Sequence, residues 1–238
     1  MRPLVVDELS SVGRTVSIDL TIPELEIISG YKRQLRQNLS RNEELGMTTE
    51  IDLEWRYLDD FAAMYDETMR RNKASAFYFF SREYLQNLKQ ALGSHGLLVL
   101  VKIKGNPAAA VLLIEYRGLA TVHLACTAAE YQSLSPGKTA FHEAAMWARR
   151  RGNRCLHLGG GRGASDRDPL FLFKMAFCPR AHARTFGIGR WILNQTCYDG
   201  LTKAHTAFAA NNHQQLDPGY FPAYRAPVSN ARPEEVHV

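Results

Sequence analysis

A single lysine interrupts an aromatic segment in the C-terminal half of the chain. Lys174 lies among phenylalanines and a methionine, shortly after three consecutive glycines. A buried, unpaired charge costs several kcal/mol, so an ammonium group in apolar surroundings needs an anionic partner. The oxyanion that develops on a transferred acyl group is one such partner. The segment therefore predicts Lys174 as a catalytic cation. The alternative is a lysine that extends to solvent or pairs with Asp166 or Asp168.

The glycines follow a short apolar run that begins at Cys155 and contains His157. This pattern predicts a strand that ends in a turn at Gly159, Gly160 and Gly161. The turn either presents backbone N–H groups to a phosphate or a carbonyl oxygen, or is a bulge that needs a positive φ. His157 alternates with two leucines. We predict that His157 is a general base that takes a proton from an attacking amine. The alternative is a structural histidine that is hydrogen-bonded within the fold.

A basic segment near the N-terminus supplies further candidates. Arg33 and Arg36 are predicted to bind substrate, and Lys32 and Arg41 lie in the same segment. These cations either contact the phosphates of an acceptor or of tRNA, or form an ordinary solvated helix face.

Other polar residues close to the glycines and in the apolar segments are further candidates. Asp166 is predicted to orient the incoming amine, with helix capping as its alternative. Asp168 precedes Pro169 and is better suited to capping. His123 and His142 are weaker candidates for catalysis.

Hydrophobic periodicity and turn residues predict a mixed α/β chain. Three apolar runs separated by short glycine turns predict an antiparallel meander in the centre. Strands and helices do not alternate throughout, which argues against a doubly wound nucleotide-binding sheet. The predicted strands are 15–20, 47–53, 97–103, 108–116, 120–126, 155–158 and 184–193. The predicted helices are 21–45 capped by Thr21, 59–71, one capped by Ser81 and ended by Gly93, one capped by Ser135 and ended by Gly152, 171–177 and 196–210.

Composition narrows the class of protein. The chain has 238 residues, a formal net charge of +5 and four cysteines. The cysteines form no CxxC pair, so we expect reduced thiols and no metal site. No apolar run approaches the ~18–20 residues of a membrane span, and the first residues lack the apolar core of a signal peptide. We therefore expect a soluble, cytoplasmic protein without stable membrane insertion.

The combined pattern resembles the FemAB-like branch of the GNAT acyltransferase superfamily. The resemblance rests on the Cys-Leu-His-Leu-Gly-Gly-Gly run, the Phe-Leu-Phe-Lys-Met-Ala-Phe segment around Lys174, the Phe-Pro-Ala-Tyr-Arg tail, and the basic helix before Gly46. It covers roughly residues 15–226. It implies a GNAT-like, mostly antiparallel sheet with helices on both faces. It also implies acyl or aminoacyl transfer to an amine, with the matching Lys174 stabilising charge on the acyl carbonyl.

The resemblance also bears on the acyl donor and the acceptor. Coenzyme-A-using members carry a glycine-rich loop before the central helix, whereas this chain has Pro136 and one glycine, Gly137, before Lys138. The donor is therefore aminoacyl-tRNA as co-substrate or, with Lys138 assisting a degenerate phosphate loop, acetyl-CoA or another acyl-CoA. The implied acceptor is a cell-envelope precursor or a sugar amine, with tRNA as a further partner. A second copy of the chain, in a homodimer, is the remaining partner hypothesis.

The chain is predicted to contain one main domain between two short terminal segments. We predict residues 1–20 as a strand extension, in the position of a missing first GNAT half, residues 21–226 as the acyltransferase domain, and residues 227–238 as a loose tail. The alternative of another class is a non-catalytic module that binds RNA or an anionic glycan through the basic helix around Arg33 and Arg36.

Overall fold

The computed structural model of the protein describes residues 8–162, 165–178 and 183–230. The chain forms two compact units. The larger is Val12–Phe186, and the smaller combines Met1–Ser11 with Gly187–Val238. None of the helices in the described part of the chain is both long and apolar enough to cross a bilayer.

The described residues form nine strands and seven α-helices. The strands are β1 (Glu8–Asp19), β2 (Thr48–Asp52), β3 (Gly96–Ile103), β4 (Asn106–Tyr116), β5 (Leu119–Thr127), β6 (Cys155–Gly159), β7 (Arg184–Arg190), β8 (Gln214–Leu216) and β9 (Val228–Asn230). The helices are α1 (Glu24–Gly30), α2 (Arg33–Glu44), α3 (Leu58–Arg71), α4 (Arg82–Leu92), α5 (Pro136–Arg150), α6 (Pro169–Lys174) and α7 (Gln195–Asn211). Short 3-10 turns include Ala76–Tyr78, Ala129–Leu134 and Met175–Phe177.

The main sheet has seven strands in the order β2-β3-β4-β5-β6-β1-β7. The ladders from β2 to β5 are antiparallel, β5 and β6 run parallel, and β6 pairs antiparallel with β1. This arrangement confirms the predicted mixed, mostly antiparallel sheet and its central meander.

Alternating side chains of the central strands divide the core of the larger unit into two layers, because successive residues in a strand point to opposite faces. Leu97, Val99 and Val101 pack on one face with helices α1, α2, α5 and α6. Leu98 and Leu100 pack on the other face with α3 and α4. Helices therefore cover both faces of the sheet, as predicted.

The predicted helix over residues 21–45 is wrong, because the chain breaks between α1 and α2. Tyr31 is extended and only 2% exposed, and its ring packs edge-on against Phe177. The backbone N–H of Lys32 donates to the carbonyl of Ala176 at 2.9 Å. Thr21 is not the N-cap either. Its hydroxyl and its N–H both donate to Asp19 Oδ1.

The two predicted serine caps differ in the structure. Ser81 caps α4, where its Oγ accepts from the backbone N–H of Tyr84 at 3.1 Å. Ser135 precedes α5 but makes no side-chain cap bond, because its backbone lies in the left-handed region at φ 56°. The cap predicted at Ser135 is therefore wrong, although Pro136 does begin the helix.

The smaller unit is described by itself. Its helix α7 packs aromatic residues of the C-terminal segment, since the Tyr198 ring stacks on Phe221 with centroids 5.9 Å apart. The Tyr198 hydroxyl accepts from the backbone N–H of Ala223 at 3.0 Å. Residues 228–230 of the predicted loose tail form β9, which pairs with β8. Residues 1–7 and 231–238 lie outside the described part, and the predicted domain boundaries stay predictions.

The two serines give a matched test of helix capping. Ser81→Ala removes a cap acceptor and should lower the free energy of unfolding by about 1 kcal/mol. Ser135→Ala removes no cap bond and should change stability much less. Urea unfolding of both variants checks this, and equal losses at the two positions would contradict it.

Candidate active site

The two parallel strands in the middle of the sheet separate to form a cleft. Hydrogen-bonded pairing between β5 and β6 covers only three residue pairs and ends where Thr121 faces His157. Beyond that point β5 continues to Thr127 and β6 to Gly159. A cleft of about 810 Å³ opens between these divergent ends. Backbone groups on the exposed edge of β5 have no partner on β6 there, so they are available to a ligand.

A β-bulge lies on the β5 wall of this cleft. Leu112 pairs with Leu124, but its neighbour Leu113 pairs with Val122, so His123 is an extra residue in β5. Bulges bend a strand and turn a side chain aside. His123 lines the cleft with much of its side chain exposed to solvent, and the burial of the remainder lowers the pKa of the imidazole below its ordinary value. His123 is therefore largely neutral at pH 7 and able to accept a proton.

Lys174 lies on the β6 wall of the same cleft, in the last turn of α6. Its Nζ donates to the carbonyl oxygen of Gly160 at 2.7 Å. Burial lowers the pKa of Lys174 to about 8, and the negative charge of Asp168 opposes that effect only in part. Lys174 and the glycine turn therefore line the same cleft, and the catalytic role of the lysine stays a prediction.

The glycine turn is packed too tightly for side chains. Gly159 has φ +77°, and a Cβ there would lie 3.3 Å from Lys174 Nζ. A Cβ on Gly160 would lie 2.8 Å from the carbonyl oxygen of Arg14, and one on Gly161 would collide with the carboxylate of Asp168. Each glycine is therefore required either because a Cβ would not fit or because the backbone has a positive φ. This agrees with the tight-turn alternative. The predicted binding of an anion by the turn stays a prediction.

Asp168 holds the turn and the short helix together. Its Oδ1 accepts from the backbone N–H of Phe171 at 2.9 Å, so it caps α6 as predicted. Burial alone would raise the pKa of Asp168. Hydrogen bonds from the backbone N–H groups of Phe171, Arg162 and Leu170 outweigh that effect and hold the pKa below its ordinary value.

The segment before α5 forms the far end of the β5 wall. Lys138 lines the cleft, and its Nζ donates to Asn38 Oδ1 at 2.6 Å. Burial lowers the pKa of Lys138. The backbone N–H groups of Ser135 and Lys138 donate within the turn, to Gln132 and Ser135, and Pro136 has none. Gly137 is thus the one residue of 135–138 whose N–H is not bound to another described group.

The charge of the cleft is one-sided. No aspartate or glutamate is present among the described residues that line it. Five cationic side chains do line it: Arg71, Lys73, Lys138, Arg162 and Lys174. In a cavity partly shielded from water, such a set favours anionic ligands and developing negative charge.

Other predicted site residues lie elsewhere. His157 does not line the cleft, and its Nδ1 lies 3.1 Å from Ser17 Oγ on β1. Burial, followed by the charge of Lys174, lowers the pKa of His157. Asp166 is exposed and forms an ion pair with Arg14 at 3.1 Å.

The two arginines of α2 also lie outside the cleft. Arg33 is exposed, with no hydrogen bond to another described residue. Arg36 is used within the fold, where its guanidinium donates to the carbonyls of Ser29 and Tyr31 at the end of α1. The predicted substrate-binding set is therefore not one cluster, and Lys138 is its member in the cleft.

Sequence reasoning missed Arg71 and undervalued His123. Arg71 ends α3 and donates through Nη2 to the carbonyl of Thr127, the last residue of β5. Its sequence signal is that of any basic residue at a helix C-terminus. The position of His123 depends on a bulge that no local pattern marks. Among the described residues, no group of three or more His, Cys, Asp or Glu side chains is placed to hold a metal ion.

Burial of Lys174 predicts a pH-dependent stability difference. Below pH 8 the folded protein bears the cost of a buried ammonium, and above pH 10.5 the lysine is neutral in both the folded and the unfolded states. Lys174→Met removes this titration. The stability of wild type relative to Lys174→Met should therefore rise between pH 8 and 10.5 by roughly 3 kcal/mol, at about 1.36 kcal/mol for each unit of pKa. Urea unfolding at several pH values measures it. A difference that stays constant with pH would contradict the burial of the charge.

Comparison with known proteins agrees with this architecture. Similar solved structures include FemX, with 15% identity and a TM-score of 0.66 over 78% of this chain and 63% of that one. They also include the C-terminal domain of a protein assigned as a lysylphosphatidylglycerol synthetase from Agrobacterium fabrum, with 21% identity and a TM-score of 0.55 over 76% and 60%. L-PGS from Bacillus licheniformis has 17% identity and a TM-score of 0.57 over 80% and 63%. These identities establish similarity of fold. The chain spans about three fifths of each of those structures.

A sequence search of curated proteins gives no match. The model of the acetyltransferase (GNAT) domain matches residues 29–167, which is more than half of the chain. The matched range includes β2 to β6 and ends before Lys174. The predicted superfamily is thereby confirmed, and the predicted likeness to FemAB-type proteins is confirmed at the level of fold. The chain belongs to the acetyltransferase (GNAT) family.

Proposed function

We propose that this protein transfers an acyl or aminoacyl group from an activated ester or thioester to an amine, in the cleft between β5 and β6. One observation carries the proposal. The ammonium of Lys174 is held against the glycine turn, inside a cleft whose described lining contains cations and no carboxylate. Such a site stabilises negative charge that appears during a reaction more strongly than bulk water does.

The chemistry follows from the geometry of the two walls. The amine attacks the activated carbonyl, a C–N bond forms, and the carbonyl oxygen becomes an oxyanion. Lys174 uses one N–H to bind Gly160, so its other donors remain for that oxygen. Collapse of the intermediate restores the carbonyl and expels the leaving group as an alkoxide or thiolate, which then takes up the proton that the amine has given to the base. The proton lost by the amine goes to a base, and His123 is better placed than the predicted His157 because it lines the cleft.

The segment before α5 bears on the donor. A coenzyme A pyrophosphate is gripped by several backbone N–H groups at a helix start. Here Pro136 has no N–H, and those of Ser135 and Lys138 are used inside the turn. This favours an aminoacyl donor such as aminoacyl-tRNA over acetyl-CoA. The similarity of fold to FemX and to lysylphosphatidylglycerol synthetases supports the same choice, together with an acceptor from the cell envelope or a sugar amine.

Acetyl-CoA is the second candidate donor. The family model is that of an acetyltransferase domain, and the cations Arg71 and Lys138 on the β5 wall are suited to phosphate groups. A degenerate loop assisted by Lys138 would then replace the backbone grip. The third candidate, a non-catalytic module that binds RNA or glycan through α2, has less support, since Arg36 is engaged within the fold.

Substitution of Lys174 tests the mechanism. Lys174→Met should lower kcat about 10²–10³-fold, as removal of other oxyanion donors does. The wild-type kcat should also decline as pH rises above about 8, where Lys174 loses its proton, whereas Lys174→Arg stays charged and should lack that decline. Rates against pH for an amine acceptor measure both effects. A wild-type rate that instead requires deprotonation near pH 8, and loses that dependence in Lys174→Arg, would identify Lys174 as a base and overturn its role as a cation.

Calorimetry separates the two donors. If the donor is aminoacyl, acetyl-CoA should show no binding up to millimolar concentration, because the backbone grip on its pyrophosphate is missing. A non-hydrolysable aminoacyl-adenosine analogue should bind, and Lys138→Ala is the matched variant for the β5 wall. Micromolar binding of acetyl-CoA that weakens in Lys138→Ala would favour acetyl transfer instead.

A further inference from the structure

Bulky apolar side chains surround the mouth of the cleft in the larger unit. After α3 the chain exposes Phe77, Tyr78 and Phe79, which we call the aromatic rim, and their exposed fractions are 77%, 50% and 37%. On the other side α6 exposes Leu170 and Leu172, which we call the leucine rim, at 38% and 36%. Soluble proteins rarely leave such groups clustered in water without a partner.

The two rims belong to one opening. Tyr78 of the aromatic rim and Leu170 of the leucine rim both line the cleft. Arg162, which follows the glycine turn, donates from Nη1 to the carbonyl of Asn72 at the end of α3, at 3.4 Å. The two rims therefore border the same cleft, and a partner broad enough to cover its mouth would contact both.

Charge around the mouth selects the kind of partner. Three exposed cations lie in the described rim segments: Lys73, Arg162 and Arg167. None of them forms a salt bridge with another described residue, although the charge of Arg162 acts on Asp168. The two carboxylates there are already engaged, since Asp166 pairs with Arg14 and Asp168 caps α6. Exposed apolar side chains with cations beside them are suited to bind a surface that has both hydrocarbon and negative charge. An anionic lipid bilayer is such a surface.

The described helix α2 carries exposed charge but no exposed large apolar side chain within its own residues. The basic helix α2 exposes Arg33 and Arg36 with polar neighbours, and its buried residues, Leu35 and Asn42, face inward. An electrostatic contact alone is weak at physiological salt. The aromatic rim supplies what α2 lacks, because aromatic side chains settle at the boundary between water and lipid.

We propose that the cleft mouth docks on an anionic membrane surface, with the aromatic and leucine rims entering the interface and Lys73, Arg162 and Arg167 contacting lipid headgroups. This inference rests on the proposed function in one respect: docking would bring the acceptor amine of a membrane-borne molecule to Lys174. Its physical basis, the rims and their cations, does not depend on catalysis.

Vesicle binding of the full chain tests the docking. We expect co-sedimentation with vesicles of phosphatidylcholine and phosphatidylglycerol, little with phosphatidylcholine alone, and weaker binding at high salt. Phe77→Ser should weaken binding about tenfold, since a buried aromatic side chain contributes more than 1.4 kcal/mol. Leu193→Ser is the matched control, because Leu193 is 95% exposed on the smaller unit and should leave binding unchanged.

Several outcomes would overturn the docking. These are equal binding to neutral and anionic vesicles, equal loss in Leu193→Ser, or unchanged binding in Phe77→Ser. A dimer in solution that Phe77→Ser converts to a monomer, without vesicle binding by wild type, would assign the rims to a second copy.

Transfer to a water-soluble amine distinguishes this proposal from the proposed function. Phe77→Ser should retain the wild-type rate of this transfer. If the protein shows no transferase activity but binds vesicles in a way that depends on Phe77, docking is supported and catalysis is refuted.

Discussion

The separation of β5 from β6 beyond Thr121 is the constraint on which the rest of the site depends. Two parallel strands that stayed paired would bury their backbone groups in each other and leave no room for a ligand. The extra residue His123 bends β5, while β6 stops at Gly159 because the glycine turn begins there. The core does not collapse into the opening, because α5 packs under both strands with Ala140, Ala144 and Ala145.

The position of Lys174 follows from this opening and carries an energetic cost. An ammonium against a carbonyl oxygen, in a wall of phenylalanines, is less stable than one in water, which is why the pKa of Lys174 falls to about 8. The fold holds the side chain there through the Asp168 cap and the packing of Phe173 and Phe177 on Phe141. Sites that destabilise a group in this way commonly use it in chemistry.

Local patterns predicted most elements of the larger unit and the apolar surroundings of Lys174, but not β8, β9 or the contacts between distant segments. Alternation and the glycine turns predicted β3, β4 and β5, and the lysine among phenylalanines predicted a buried cation. The break at Tyr31 could not be predicted, because helical periodicity continues through it and its cause is the carbonyl of Ala176. For the same reason His157 was favoured over His123: which strand face opens on a cleft depends on a bulge and on the path of the neighbouring strand.

The tight packing of the glycine turn has a consequence for comparing relatives of this protein. Arg14 and Asp168 exclude side chains at Gly160 and Gly161 whether or not any reaction takes place. Natural selection for a foldable scaffold alone would thus preserve the triplet, even in a descendant that has lost catalysis. Lys174 is under the opposite pressure, since an apolar residue would relieve its desolvation. Under the proposed mechanism, the lysine and not the glycines marks which homologues retain catalysis.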